Sequence, residues 1–272
     1  MSRGVKIVIG VVLLAGLGVA GWLWIQRDTA RPVTVEEAAE RRTATSATGA
    51  DAPSVPAGDG PTRPAAGVYE YTGSGSESLT LPPLSQDQGP TVPATVEHLD
   101  DGCWSIRFDY STNHWQRWDY CPRGADLVET GGGSWQRWMV GATAITNLTT
   151  ATCDDAMVLP AARRRDQEWS HRCVATNESV EGEAVSAGPY RFVGDEDVTV
   201  GSATVRAAHF VRERTMSGAQ EGTERSEVWF ALDTGLPIRN ERRIEVRTDT
   251  PVGASTYTEE ASFELVVVDP VG

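Results

Sequence analysis

Val228-Trp229-Phe230-Ala231-Leu232, then Asp233-Thr234-Gly235-Leu236-Pro237, then Ile238 running on to Val246, is the stretch that decides the fold. The outer runs are rich in β-branched and aromatic side chains, which fit a pleated, half-buried surface. Between them, Asp-Thr-Gly supplies residues that tolerate a tight reversal of the chain. The reading is an antiparallel hairpin. The same alternation recurs at 68–71, 91–99, 103–110, 114–121, 134–144, 203–215 and 255–268. Turn signals at Asp100-Asp101-Gly102, Gly131-Gly132-Gly133 and Ser217-Gly218 separate several of these runs. No window after Arg42 repeats its apolar residues every 3.6 positions, and residues 161–168 are the one place where a helical turn is expected. Consecutive hairpins make a meander. The expected class is all-β, an antiparallel meander forming a half-barrel or barrel, because long strands must curl or close to bury one face.

Two internal echoes suggest related halves, 67–160 and 186–270. Gly67-Val68-Tyr69-Glu70-Tyr71-Thr72-Gly73 matches Gly188-Pro189-Tyr190-Arg191-Phe192-Val193-Gly194, and Ala94-Thr95-Val96 matches Ala203-Thr204-Val205. A second echo, Trp115-Gln116-Arg117-Trp118 and Trp135-Gln136-Arg137-Trp138, places two like strands side by side across the Gly131 turn.

The cysteines are Cys103, Cys121, Cys153 and Cys173. None forms a C-x-x-C pair and no histidine sits at metal-finger spacing from them, so a zinc site is disfavoured. Of three possible connectivities, Cys103–Cys121 and Cys153–Cys173 are preferred, since each would join neighbouring strands. Each would contribute roughly 3 kcal/mol in the chain-entropy picture.

The formal net charge is −14. Arg3 and Lys6 are the only charged residues of 1–25, so the remainder carries 22 basic and 38 acidic residues. Such a surface repels phosphate backbones and anionic headgroups, which argues against nucleic acid and against a domain lying flat on a bilayer. The single lysine, Lys6, beside 23 arginines points to a GC-rich, bacterial genome.

Residues 7–25 contain no charge, and nineteen residues at 1.5 Å span about 28 Å, close to the hydrocarbon thickness of a bilayer. Trp22 and Trp24 close the run, and Arg3 and Lys6 precede it. The expected organisation is a cytoplasmic tip and transmembrane anchor at 1–25, a flexible linker at 26–66 and an extracytoplasmic β domain at 67–270. The chain is thus expected as a single-pass protein of the cell membrane with its domain outside. The alternative is secretion after cleavage near Gly18-Val19-Ala20. Within the linker, Thr34-Val35-Glu36-Glu37 has the form of a capping box, which predicts a short helix over 38–42.

No G-x-S-x-G elbow, P-loop or dinucleotide fingerprint is present. His98, His114, His171 and His209 form no H-x-H or H-E-x-x-H pattern, and no metal or other cofactor is expected. The densest chemical feature is aromatic. Trp104, Trp115, Trp118, Trp135 and Trp138 fall within 35 residues. On a strand, Trp115 and Trp118 face opposite ways, as do Trp135 and Trp138. With Arg117 and Arg137 they make a candidate platform for stacking a sugar or an amphiphile. The competing reading is core packing with the arginines stacked on neighbouring rings.

Residues 63–75, Gly102-Cys103-Trp104 and the second cysteine pair resemble a family of uncharacterised actinobacterial membrane-anchored or secreted β-proteins. The closing stretches Glu196-Asp197-Val198-Thr199-Val200-Gly201 and Val228 to Arg239 are similar to LolA-like half-barrel envelope proteins. The first resemblance implies an extracytoplasmic setting and no particular activity. The second implies a curved sheet whose concave face takes acyl chains. The leading expectation is therefore a non-enzymatic half-barrel binding a lipid or amphiphile at the envelope. The alternatives are a carbohydrate- or protein-interaction module using an exposed tryptophan face, and a hydrolase of unrecognised type.

Overall fold

The computed structural model describes residues 30–46, 61–251 and 253–271. The apolar run at 7–25, expected as a membrane anchor, lies outside them. No helix among the described residues is long and apolar enough to cross a membrane.

Among the described residues, thirteen strands follow one α-helix. The helix is α1 (Val35–Ser46), and the strands are β1 (Gly67–Thr80), β2 (Pro83–Gln88), β3 (Thr91–His98), β4 (Trp104–Ser111), β5 (His114–Arg123), β6 (Asp126–Val140) and β7 (Thr143–Leu159). The chain continues with β8 (Glu168–Asn177), β9 (Val180–Val200), β10 (Ala203–Gly218), β11 (Glu221–Ala231), β12 (Pro237–Thr250) and β13 (Gly253–Leu265). All described pairings are antiparallel, and neighbours in the sheet are neighbours in sequence almost throughout. β2 and β3 pair in succession along one edge of β1, from Thr80↔Pro83 to Gly67↔Val96, and so form one stave interrupted at Gly89-Pro90. The other edge of β1 pairs with β13, from Tyr71↔Leu265 to Leu79↔Tyr257. The sheet therefore closes as a twelve-stave barrel, not a half-barrel. Closure satisfies the edge amides that an open meander would leave exposed.

Several expectations change with the strands in place. The opening hairpin is present as β11 and β12, with Gly235 at φ 70° and its N–H donating to the Ala231 carbonyl at 2.8 Å. Gly131–Gly133, expected as a turn, instead lies inside β6, and the chain reverses at Gly124-Ala125. A Cβ on Gly132 would sit 2.2 Å from the Arg117 carbonyl oxygen, and one on Gly131 2.4 Å from that of Ala151. These glycines let β5, β6 and β7 approach closely, which is a second use of glycine in sheets. Residues 161–168 make turns and the start of β8, not a helical turn. The proposed halves differ in register: Ala94 pairs with Tyr69, whereas Ala203 pairs with Val200, ten residues beyond Tyr190.

Part of the stretch expected as a flexible linker is folded onto the barrel. The capping box forms reciprocally: Glu37 N–H donates to Thr34 Oγ1 and Thr34 N–H to Glu37 Oε2, each at 3.2 Å. Val33 and Ala38 are buried, and α1 lies against the outside of β1 and β3. Thr62 bonds through its N–H and Oγ1 to the Asp233 carbonyl at 2.8 and 2.9 Å, strapping 61–66 across the end where the 232–236 turn lies. Low aromatic content therefore did not prevent folding here, because the barrel wall supplies the apolar partner.

Both disulfides are present as preferred, Cys103–Cys121 and Cys153–Cys173. Cys153 and Cys173 are directly opposed across β7 and β8, and Cys103 and Cys121 flank the Trp104↔Tyr120 pair.

The lumen is filled. Toward the Thr62 strap it is apolar and aromatic, with Trp104, Tyr120, Leu127, Leu159, Phe192, Phe230 and Ile238 all buried. Farther along, inward positions carry charge. Arg212 bonds Glu129 (3.2 Å), Glu224 (2.7 Å) and Ser226 (3.1 Å); Arg214 reaches Glu224 at 3.3 Å. Arg242 holds Glu259 through Nε at 2.8 Å and also reaches Gln116. Burial works against charge on Glu224, but Arg212 and Arg214 outweigh it and hold its pKa at about 2.

Candidate functional site

Of the residues singled out in the sequence, two classes separate cleanly. Trp118 and Trp138 are buried, as is Trp104. Trp118 packs edge-on to Phe108 at 5.6 Å within the aromatic core. Trp115 and Trp135 are half-buried and directly opposed across β5 and β6, so both lie on the outer face. The side-by-side placement read from the repeated Trp-Gln-Arg-Trp is thus present. Arg117 and Arg137 share that face by alternation, while Gln116 and Gln136 turn inward to Arg242 and Glu77.

Trp115 lines a groove of about 210 Å³ between α1 and the outside of β3–β5. Ala38, Arg41 and Arg42 of α1 form one wall; Thr95, Glu97, Ser105, Arg107, Asp109 and Arg117 complete it. The groove exists because α1 is anchored beside it. Its buried Ala38 faces the barrel, and Arg41 pairs with the buried Asp109 at 3.0 Å. Asp109 also accepts from Arg107 at 2.8 Å. That pairing lays the Arg107 guanidinium over the Trp115 ring, 4.5 Å from its centroid. Arg117 is tied to Asp119 at 3.0 Å. Four arginines line this pocket with Glu97 and Asp109, and Asp119 pairs with Arg117 at its edge, so a strongly acidic chain gathers arginines beside an indole. α1's part in it was not expected from the sequence, although its capping box was.

The histidines do not gather. His98 bonds the Pro64 carbonyl at 2.8 Å. His209 stacks on Trp229 at 4.0 Å between centroids and meets Glu227 at 3.0 Å. His171 is buried against Tyr190 and donates from Nε2 to the Met157 carbonyl; burial pushes its pKa down to about 3. His114 is the histidine that joins a buried cluster of possible ligand atoms among the described residues. Its Nδ1 lies 3.1 Å from Glu77 Oε2 inside the lumen, near Glu259. Arg163 pairs with Asp195 at 3.0 Å and lies over Phe192, which leaves the 163–165 island serving loop structure.

A void in the lumen, bounded by Tyr110, Trp118, Arg212, Asn240 and Phe263 among others, measures about 30 Å³. That holds no more than about two waters, whereas pockets for whole ligands run to roughly 300 Å³ and above. Compared with known protein families, curated proteins and solved structures, the chain finds no match.

Proposed function

We propose that this barrel is a non-enzymatic binding module of the cell envelope that takes a carboxylate-bearing sugar unit into the groove beside α1. The observation that carries the reading is the half-exposed Trp115 set among Arg41, Arg42, Arg107 and Arg117. An indole offers apolar area to the CH face of a sugar ring. Guanidinium groups recognise a carboxylate through paired, charge-assisted hydrogen bonds. A groove of about 210 Å³ suits one ring of a longer chain and not a whole oligomer. Trp135, on the same outer face one strand away, extends the platform for a neighbouring ring. The two disulfides fit an oxidising setting outside the cytoplasm. The expectation of a lipid in a concave sheet is not carried forward, because the lumen void beside Tyr110, Trp118 and Phe263 measures about 30 Å³.

Titration of the full-length chain with carboxylated and neutral cell-wall oligosaccharides, followed by tryptophan fluorescence, tests this. The carboxylated series should bind, and Trp115→Ala or Arg117→Ala should weaken binding about tenfold, a loss of about 1.4 kcal/mol, with Tm unchanged. Equal binding by Trp115→Ala, or no binding of any carboxylated glycan, would overturn the proposal.

A further inference from the structure

Inside the lumen, on the seam where β1 meets β13, four side chains make contacts that ionised carboxylates and a single imidazole tautomer do not all satisfy. Glu77, His114, Glu259 and Gln88 are 1, 2, 2 and 4% exposed. One ligating atom from each of the first three falls within 4.8 Å of the others. His114 Nδ1 lies 3.1 Å from Glu77 Oε2, an acceptor, and 3.2 Å from Gln88 Nε2, a donor. No tautomer serves both, since Nδ1 either carries a proton or offers a lone pair. The Tyr257 hydroxyl lies 2.7 Å from Glu77 Oε2 and 2.6 Å from Glu259 Oε2, with one proton for two carboxylates. Gln88 Oε1 is buried without a partner, while its Nε2 points at His114 and at Glu259 Oε1, 3.2 Å away.

We infer that these groups form a divalent-cation site, of the Zn²⁺ class, that clasps the closed barrel. A cation would turn each mismatch into a shared ligand. The Nδ1 lone pair and the Oε2 atoms of Glu77 and Glu259 would face it, leaving Glu259 Oε1 to Arg242. A half-turn of the Gln88 amide, whose O and N positions interchange readily, brings Oε1 toward the same point. One imidazole nitrogen with three oxygens is a donor set that zinc accepts. Charge agrees in direction. Four buried carboxylates, Glu77, Glu129, Glu224 and Glu259, meet three guanidiniums, Arg212, Arg214 and Arg242, so the lumen has negative charge to spare. The ligands come from β1, β2, β5 and β13, so the ion would tie the closing seam to β5, three staves round the ring.

The test is to unfold the full-length chain in urea with its disulfides intact. It is then refolded with Zn²⁺ or with EDTA, and metal content and Tm are measured after desalting. The expected result is about one zinc per chain and a Tm about 5 °C higher than in the EDTA sample. Refolding with Co²⁺ should give visible d–d absorption, which Glu77→Gln, checked for its β spectrum by circular dichroism, should lose. Metal-free chain from both refoldings with equal Tm, or Glu77→Gln that keeps stoichiometric metal, would overturn the inference; in the first case the missing positive charge is a proton shared by His114 and Glu77.

Discussion

His171 shows how one buried side chain couples the barrel to pH. Its ring packs 4.4 Å from Tyr190 and its proton sits on Nε2, facing the Met157 carbonyl. Nδ1 is buried without a hydrogen-bond partner among the described residues. The folded state holds this imidazole neutral down to about pH 3, whereas an unfolded chain protonates near pH 6.5. The unfolded state therefore binds more protons in that window, and stability falls as pH drops from about 6.5 toward 3, by at most about 1.4 kcal/mol per unit. Glu224, held at about 2, adds to the loss below about pH 4.5. His171→Phe should flatten the limb between pH 6 and 5 in urea-denaturation curves, while the steeper loss below pH 4.5 should persist. The sequence showed His171 only as a lone histidine on an expected β protein, because its neighbours come from strands that the pattern does not connect.

At the scale of elements, glycine decides where β5, β6 and β7 can meet. Gly132→Ala would press a methyl against the Arg117 carbonyl and should cost roughly 1–3 kcal/mol or more through overpacking. Gly124→Ala, with nothing within 4 Å but a φ of 64°, should cost only about 1–2 kcal/mol of backbone strain. Chemical denaturation of the two variants checks the ordering, and a larger loss at Gly124 would be against it. Triple glycine reads as a turn in sequence because turns are its commoner use, and nothing local distinguishes close strand approach. The strands that local pattern did reveal are β4, whose inward positions are apolar throughout, and β5, β11 and β12, which carry apolar or aromatic inward residues near one end, such as Trp118 and Tyr120, Val228 and Phe230, and Ile238. β2, β7, β8 and much of β9 escaped it. Gln86 and Gln88 point inward on β2 and most of β7 is exposed or only half-buried. Where the lumen is polar, alternation of polar and apolar residues disappears, and with it the period-2 signal. The disulfides were legible because cross-strand pairs need only two adjacent strands. The Glu77–His114–Glu259 cluster was not, since it joins three strands far apart in sequence.

For the molecule as a whole, the charged belt acts as internal bracing. Arg212 on β10 reaches Glu129 on β6 across the lumen, and Arg242 on β12 reaches Gln116 on β5. Such pairs are poor net sources of stability compared with apolar packing, but removing one member leaves its partners charged and dry. Arg212→Ala should therefore destabilise by about 3–5 kcal/mol, because Glu129 and Glu224 lose their shared counter-charge. Arg212→Met with Glu129→Gln and Glu224→Gln should recover much of that loss. Equilibrium unfolding of both variants measures it, and a single variant within 1 kcal/mol of the parent would show that water already reaches the belt.

Closure between β1 and β13 also sets an order in time. Tyr257 and Glu77 meet although they stand 180 residues apart. Every other seam in the ring joins strands that follow one another closely, so the meander can grow hairpin by hairpin. The β1–β13 seam cannot form until nearly all of that length has been made and threaded to its destination. A chain emerging from a ribosome or a translocation pore thus travels as an unclosed ribbon, with one raw edge at its start. Long-range pairing of this kind is slow, since loop entropy is lost before contacts reward it. For that interval the molecule depends on whatever attends nascent chains to keep β1 from pairing with a stranger.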